Sequence, residues 1–211
     1  MILTIVELWY GSAGSSSRNS QMNLPTNAVV LKTSRLILRP LCRDDISQLL
    51  PLIGAREVAA TTLRIPYPYT EENALKFLEY SDSVWQKREG ASFGIFLREG
   101  EQVCGGIGLA AHLEHNRAEL GYWIGVPFWG NGYCTEAARE VLRFGFENLR
   151  LHRIDAGHFA NNPASGRILL KLGMKHEGTT REHVQKWGEY LDVEIYGLLA
   201  REYLKQSSTK L

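Results

Sequence analysis

Alternation between apolar and polar positions first becomes regular at Ser34, where SRLILRPL interleaves Leu36 and Leu38 with Ile37 and Arg39. A period of two with one fully apolar face predicts a strand, and Pro40, lacking an amide hydrogen, marks its exit or an edge. Asp44 and Asp45 supply a cap and first-turn negative charge for a helix carrying Ile46, Leu49 and Leu50. Thr70 opens a longer helix with Glu71 and Glu72 in its first turn; Ala74, Phe77, Leu78 and Trp85 form its apolar stripe, read as core packing. Alternation returns in Ser92 to Leu97, and Arg98 to Glu101 reads as a hairpin turn into Val103 to Leu109. After the polar stretch His112 to Asn116, AELGYWIGV, from Ala118 to Val126, is a third consecutive strand.

The pattern then shifts to a helical period over Thr135 to Phe146, with Ala138, Val141, Leu142 and Phe146 inward, and back to a strand at Arg153 to Phe159. Asn162 before Pro163 is the strongest capping signal in the chain. It starts a helix that carries Ile168, Leu169 and Leu172 and stops at Gly173. Lys175 to Leu204 reads as an extended pair around Gly188, ending in a strand from Asp192 to Leu199. Strand, two helices, three strands, helix, strand, helix and two strands make an α/β domain around a mixed sheet. Gly11 to Asn27 is too poor in apolar residues to bury a core. Residues 1–27 are therefore expected to be a flexible, dispensable leader, 28–205 the domain and 206–211 a C-terminal tail.

Composition narrows the class without naming it. At 211 residues and 44% apolar content one sizeable core is expected. The 24 Lys plus Arg and 23 Asp plus Glu nearly cancel, which argues against direct nucleic-acid or membrane partners and leaves any polyanion site local. Cys42, Cys104 and Cys134 are odd in number, far apart and without a CxxC pair, so neither a disulfide framework nor a zinc site is expected. A reducing, cytoplasmic compartment fits. The histidines show no HExxH or other compact ligand spacing, no metal is expected, and His158 reads as a packed strand residue. MILTIVELWY at the start is apolar but lacks a basic flank, contains Glu7 and falls short of the roughly 20 residues a bilayer span needs.

Chemistry concentrates in IGVPFWGNGYCTEA, Ile124 to Ala137, where a strand runs through a glycine loop into a helix. Gly130 and Gly132 allow close backbone approach or positive φ, and the helix behind them directs unpaired amides at the loop, a phosphate-binding arrangement. Such a pair also serves as a plain tight turn, and the pattern alone leaves both readings open. The loop has no Walker A lysine and is too short for GxGxxG, which disfavours nucleotide hydrolysis and NAD binding.

The run AELGYWIGVPFWGNGYCTEA, followed by NNPASGRILLKLGMKHEG and REHVQKWGEYLDVEIYGLL, resembles the RimJ/RimL-type N-terminal acetyltransferases of the GNAT superfamily, over roughly Thr33 to Tyr203. The resemblance implies a GNAT-type α/β fold, a central mixed, mostly antiparallel sheet flanked by helices, with acetyl-CoA as cosubstrate. It implies that Ile124, Gly125 and Val126 bond the pantetheine arm. The amides of Gly130, Asn131, Gly132, Tyr133, Cys134 and Thr135 would cradle the pyrophosphate. Asn162 would contact the arm near its thiol as well as capping the helix. Pro127 stands where the superfamily often has Gln or Arg, so backbone contacts survive and a charged side-chain contact does not. Trp123, Phe128, Trp129 and Tyr133 read as core and rim packing.

Transfer to an amine requires a neutral nucleophile, an oxyanion donor and a route for the proton. Glu119, just before Gly121 on the implied cofactor strand, is the candidate base, with Glu182 in reserve; the alternative for Glu119 is a strand carboxylate paired with Arg117. Many relatives carry a tyrosine proton donor where this chain has Leu169. That leaves Ser165, like the serine of RimL-type members, as the donor or thiolate stabiliser, against a plain helix-surface serine. No activated nucleophile is recognisable, so direct attack in a ternary complex is expected. The favoured acceptor is a protein N-terminal amine of the ribosomal-protein type. The alternatives are a small amine such as a polyamine or aminoglycoside, or a non-catalytic acyl-CoA-binding module; a homodimer is an open option.

Overall fold

A computed structural model of the chain describes residues 29–208, so the leader lies outside the described residues. The elements are β1 (Leu31–Lys32), β2 (Leu36–Arg39), α1 (Ile46–Ile53), α2 (Arg56–Ala60), α3 (Glu71–Gln86), β3 (Gly90–Leu97), β4 (Val103–His112) and β5 (Arg117–Ile124). They continue with α4 (Tyr133–Arg143), β6 (Arg153–Phe159), α5 (Pro163–Lys171), β7 (Lys175–Lys186), β8 (Glu189–Leu199) and α6 (Ala200–Ser208). The strands form one sheet in the order β1-β2-β3-β4-β5-β6-β8-β7. β5 and β6 are parallel and every other neighbouring pair is antiparallel. A parallel pair needs a long crossover, and α4 supplies it.

Each face of the sheet is covered by its own helices. On one, Leu36, Phe93, Leu109, Leu120 and Ile154 pack with Ala138 and Val141 of α4 and Leu169 of α5. On the other, Phe96, Ala110 and Trp123 pack with Leu49 and Ile53 of α1, Val58 of α2 and Phe77 of α3. The α/β arrangement around a mixed sheet is the one the sequence pattern predicts, and the mostly antiparallel sheet flanked by helices is the one the resemblance implies.

The differences lie at element ends and in short polar elements. Asp45 stands at the N-cap position of α1, but its side chain makes no cap bond there: it is 5% exposed, accepts Arg39 Nη1 and Nη2 at 2.8 Å each and takes the Cys42 amide at 2.8 Å. Arg39 in turn lies 3.7 Å from the centre of the Phe96 ring, so the pair ties the end of β2 to the start of α1. β5 stops at Ile124 rather than Val126, because Val126–Phe128 turn into a 3-10 helix. α4 begins at Tyr133, two residues before the expected Thr135, and continues after Arg143 as a π-helical turn over Phe144–Asn148. α6 is absent from the sequence reading, and the expected boundary at 205/206 falls inside it. Its few apolar residues carry no cap signal. It is held by tertiary contacts: Tyr203 stacks on Phe146 at 4.9 Å, and Gln206 donates to the Gly173 carbonyl at 3.1 Å.

Candidate active site

β5 and β6 run side by side only at their starts. Arg117, Ala118 and Glu119 pair with Arg153, Ile154 and Asp155, and the pairing ends there. Beyond it β5 follows β4 as far as Ile124, while β6 follows β8 from Ala156 to Phe159. The sheet thus opens between the two strands, and among the described residues no strand lies beside the inner edge of β5 from Leu120 onward, which leaves backbone donors and acceptors for a ligand. At the far end the backbone is already engaged: the Ile124 carbonyl accepts the Trp129 indole at 2.7 Å, and the Gly125 amide donates to the Cys104 carbonyl at 2.9 Å. Val126 is partly buried against the core beneath α1–α3.

The glycine loop follows directly. Gly130 and Gly132 hold φ of 78° and 77°, and Gly132 is the residue before α4, so the amides of the first turn, from Tyr133, lie at the loop. A side chain at Gly130 would meet nothing within 4 Å, and one at Gly132 would touch Arg35 at 3.7 Å; conformation, not space, requires glycine there. The Asn131 side chain is turned back onto the carbonyls of Phe128 and Trp129 at 3.2 and 3.1 Å, and Cys134 is buried, so both can reach a ligand only through the backbone.

Glu136 anchors this helix start from below. It accepts Thr33 Oγ1 at 2.6 Å, Ser34 Oγ at 3.0 Å, the Arg35 amide at 2.9 Å and Arg35 Nε at 2.7 Å. Arg35 also donates to the Asn131 carbonyl at 3.1 Å and lies over the Tyr133 ring. Partial burial pushes the Glu136 carboxyl up, but the hydrogen bonds from Thr33, Arg35 and Ser34 outweigh it and hold the group at about 2, against an ordinary 4.5. A depressed carboxylate stabilises the fold above its unfolded value and loses that contribution as pH falls through the folded one. Glu136→Gln is therefore expected to lower stability by about 1 kcal/mol at neutral pH, and the gap to wild type should close between pH 4.5 and pH 2. Denaturant melts across that range measure it; a constant gap would show that the charge is not what matters.

On the α4–α5 face, Asn162 caps α5 as the sequence indicates, its Oδ1 accepting the Ser165 amide at 3.4 Å. Ser165 is not a surface residue: it is 8% exposed, and its Oγ lies 2.7 Å from the hydroxyl of Tyr122, which reaches across the opening from β5. Burial, with Cys134 close by, pushes the Tyr122 phenol far above its ordinary value despite the bond to Ser165. His158 is packed, as expected, with 5% exposure and its ring stacked on Tyr196 at 5.5 Å. Gly166 of α5 sits against that stack; a side chain there would meet His158 Nε2 at 2.7 Å. Leu169, at the tyrosine position of other relatives, is wholly buried in the core.

Glu119 is 2% exposed and stands opposite Ala110, on the face covered by α1–α3. Directly opposed residues of an antiparallel pair share a face and neighbours in a strand alternate. Glu119 and Ser165 therefore lie on opposite sides of the sheet, with the opening between them. Arg117 Nη1 donates to both oxygens of Asp155, at 3.1 and 3.0 Å. Glu182 is exposed on β7, at the sheet edge with β6 and β8 between it and the opening, and its amide is tied to Asp192 at 2.7 Å. Burial pushes the Cys104 thiol up to about 12 and Cys134 higher still, which leaves both inert as nucleophiles at neutral pH. Tyr122 and the Glu136 anchor were missed by the sequence reading. The shared parity of Tyr122 with Leu120 was legible; its meeting with Ser165 was not.

The family model for the GNAT acetyltransferase domain matches residues 35–175. The Bacillus subtilis N-acetyltransferase YoaA is 32% identical over 171 residues, covering 81% of this chain and 96% of that protein. Among solved structures, RimL, a ribosomal-protein alpha-N-acetyltransferase in complex with coenzyme A, superposes with a TM-score of 0.75 at 18% identity, covering 81% of this chain and 98% of that one. The spermidine N-acetyltransferase SpeG of Vibrio cholerae superposes at 0.68 with 24% identity, covering 83% and 99%. At those identities the two structures share the fold. The chain belongs to the GNAT acetyltransferase family, with acetyl-CoA as the acyl donor and an amine as the acceptor. The opening beside β5, the positive-φ glycines and the start of α4 fit that donor: a strand edge for the arm and the amides of a helix N-terminus for the phosphates.

Proposed function

We propose that the chain acetylates the N-terminal amine of a protein, of the ribosomal-protein type, by direct attack on acetyl-CoA in the cytoplasm. The observation that carries the reading of the site is the opening between β5 and β6 with the glycine loop at its mouth. Along it the pantetheine arm follows β5 toward Ile124, Gly125 and Val126, and the pyrophosphate meets the amides from Gly130 to Thr135. The Asn162 side chain, its Oδ1 occupied by the cap, offers its amide hydrogens near the thiol. Glu119 takes the amine proton through water from the α1–α3 side, and Ser165 receives the departing sulfur from the other. Much of the acceleration comes from holding both substrates together.

The acceptor rests on the NNPASG segment and its serine, which resemble RimL-type enzymes. Release of free thiol from acetyl-CoA, measured with peptides bearing a free α-amine, α-blocked lysine peptides, spermidine and an aminoglycoside, tests it. The free α-amine peptides are expected to lead in kcat/KM by at least about tenfold. A lead for spermidine or the aminoglycoside would make the chain a small-amine acetyltransferase.

A further inference from the structure

We propose that Tyr122 is a positioning residue, whose phenol donates to Ser165 Oγ across the opening and so turns the serine's own proton toward the sulfur of bound coenzyme A. This rests on the reading above, in which the opening takes the pantetheine arm. Tyr122 stands beyond Glu119, the last residue of β5 paired with β6, level with the stretch where the two strands have parted. Its hydroxyl lies 2.7 Å from Ser165 Oγ and 3.4 Å from the Ser165 carbonyl. Burial keeps the phenol protonated throughout the working pH range. A protonated phenol has one hydrogen to give, and among the described residues its two acceptors are Ser165 Oγ at 2.7 Å and the Ser165 carbonyl at 3.4 Å. With the hydrogen on the nearer of the two, Oγ, the serine's own hydrogen is left to point elsewhere.

The serine itself is held still. Its amide donates to the Asn162 carbonyl at 3.1 Å and to Asn162 Oδ1 at 3.4 Å, and its side chain is enclosed. Beside the same turn of α5, His158 Nε2 is shut away from water and makes no hydrogen bond among the described residues. This turn of α5 is thus polar and enclosed, and beside it His158 holds hydrogen-bonding capacity that packing does not use.

In the transfer, the amine nitrogen bonds to the thioester carbon and gives its proton to water on the Glu119 side. The carbon–sulfur bond breaks with its electron pair going to sulfur. The Ser165 hydroxyl hydrogen-bonds the thiolate, which takes its proton from solvent on release, so no alkoxide and no tyrosinate forms. Tyr122 touches neither reactant and acts only by orienting Ser165.

A readout independent of turnover is the ionisation of the coenzyme A thiol when bound to the full chain, followed by thiolate absorbance against a desulfo-coenzyme A blank. The wild type is expected to lower the bound thiol's pKa by about one unit relative to free coenzyme A. Tyr122→Phe should lose most of that shift, Ser165→Ala all of it, and the double variant no more than Ser165→Ala; Ser165→Thr, which keeps the hydroxyl, should retain it. Coenzyme A affinity should stay within about twofold in all, and Tyr122→Phe should lower kcat about tenfold with KM for acetyl-CoA unchanged. A folded Tyr122→Phe variant that binds coenzyme A with the wild-type thiol titration would overturn the inference, as would additive losses in the double variant. Failure of the wild type to bind coenzyme A would instead bring down the reading of the opening itself.

Discussion

Gly132→Val is expected to weaken coenzyme A binding by a factor on the order of 100 while the chain keeps its fold. Gly132 holds a φ of 77° immediately before α4, and a β-branched residue in that region carries strain of about 1–3 kcal/mol. The cheapest relief is to turn the peptide out of the left-handed region, which swings the following amides away from the loop. Each charge-assisted bond lost to a phosphate is worth about 1.5–3 kcal/mol, so one or two account for the expected factor. Crowding contributes little, because the nearest atom to the new side chain is Arg35 Nη2 at 3.7 Å, at the end of a flexible chain. Calorimetric titration with coenzyme A, beside a thermal melt, measures both halves. A folded variant with wild-type affinity would remove the loop as the phosphate site.

Glu119→Gln is expected to lower the rate about 10- to 100-fold at acidic pH, with a smaller loss at alkaline pH and coenzyme A affinity nearly unchanged. At low pH few acceptor amines are already neutral, so a base that removes the proton matters most there. Affinity is spared because Glu119 faces α1–α3, on the other side of the sheet from α4 and its loop. The same experiment tests direct transfer. Cys104 and Cys134 are buried thiols with raised pKa values, and Ser165 Oγ has a phenol, not a base, at its hydrogen-bond distance. Double-reciprocal plots for both substrates should therefore intersect. Parallel lines would establish an acetyl-enzyme intermediate, and a wild-type pH profile in the glutamine variant would shift the base to another residue.

Why Glu119 stands ahead of Glu182 illustrates the division between sequence and fold. Both carboxylates sit in extended segments, and the sequence puts Glu119 first only through the resemblance, which makes its segment the cofactor strand. The strand order adds a spatial reason for the proposal: β5 borders the opening, while β6 and β8 stand between it and the edge strand β7. That order comes from pairings between residues far apart in the chain, such as Ala156 with Tyr196, which no short window contains.

By itself the sequence determined the order of the main elements, because periods of two and 3.6 are properties of a strand and a helix wherever they are placed. It also determined the Asn162 cap and the strand–glycine–helix junction at Gly130 to Thr135, since capping and positive φ are satisfied within a few residues. Short polar elements escaped it: α6 exists because Tyr203 finds Phe146 and Gln206 finds Gly173, and neither contact leaves a periodic trace. Only the tertiary structure decided that β5 and β6 part after Glu119, that Glu119 and Ser165 flank the gap from opposite faces, and that Tyr122 meets Ser165 across it. Alternation assigns neighbouring residues to opposite faces, but which helices cover a face, and what stands across a gap, are set by long-range pairing and packing.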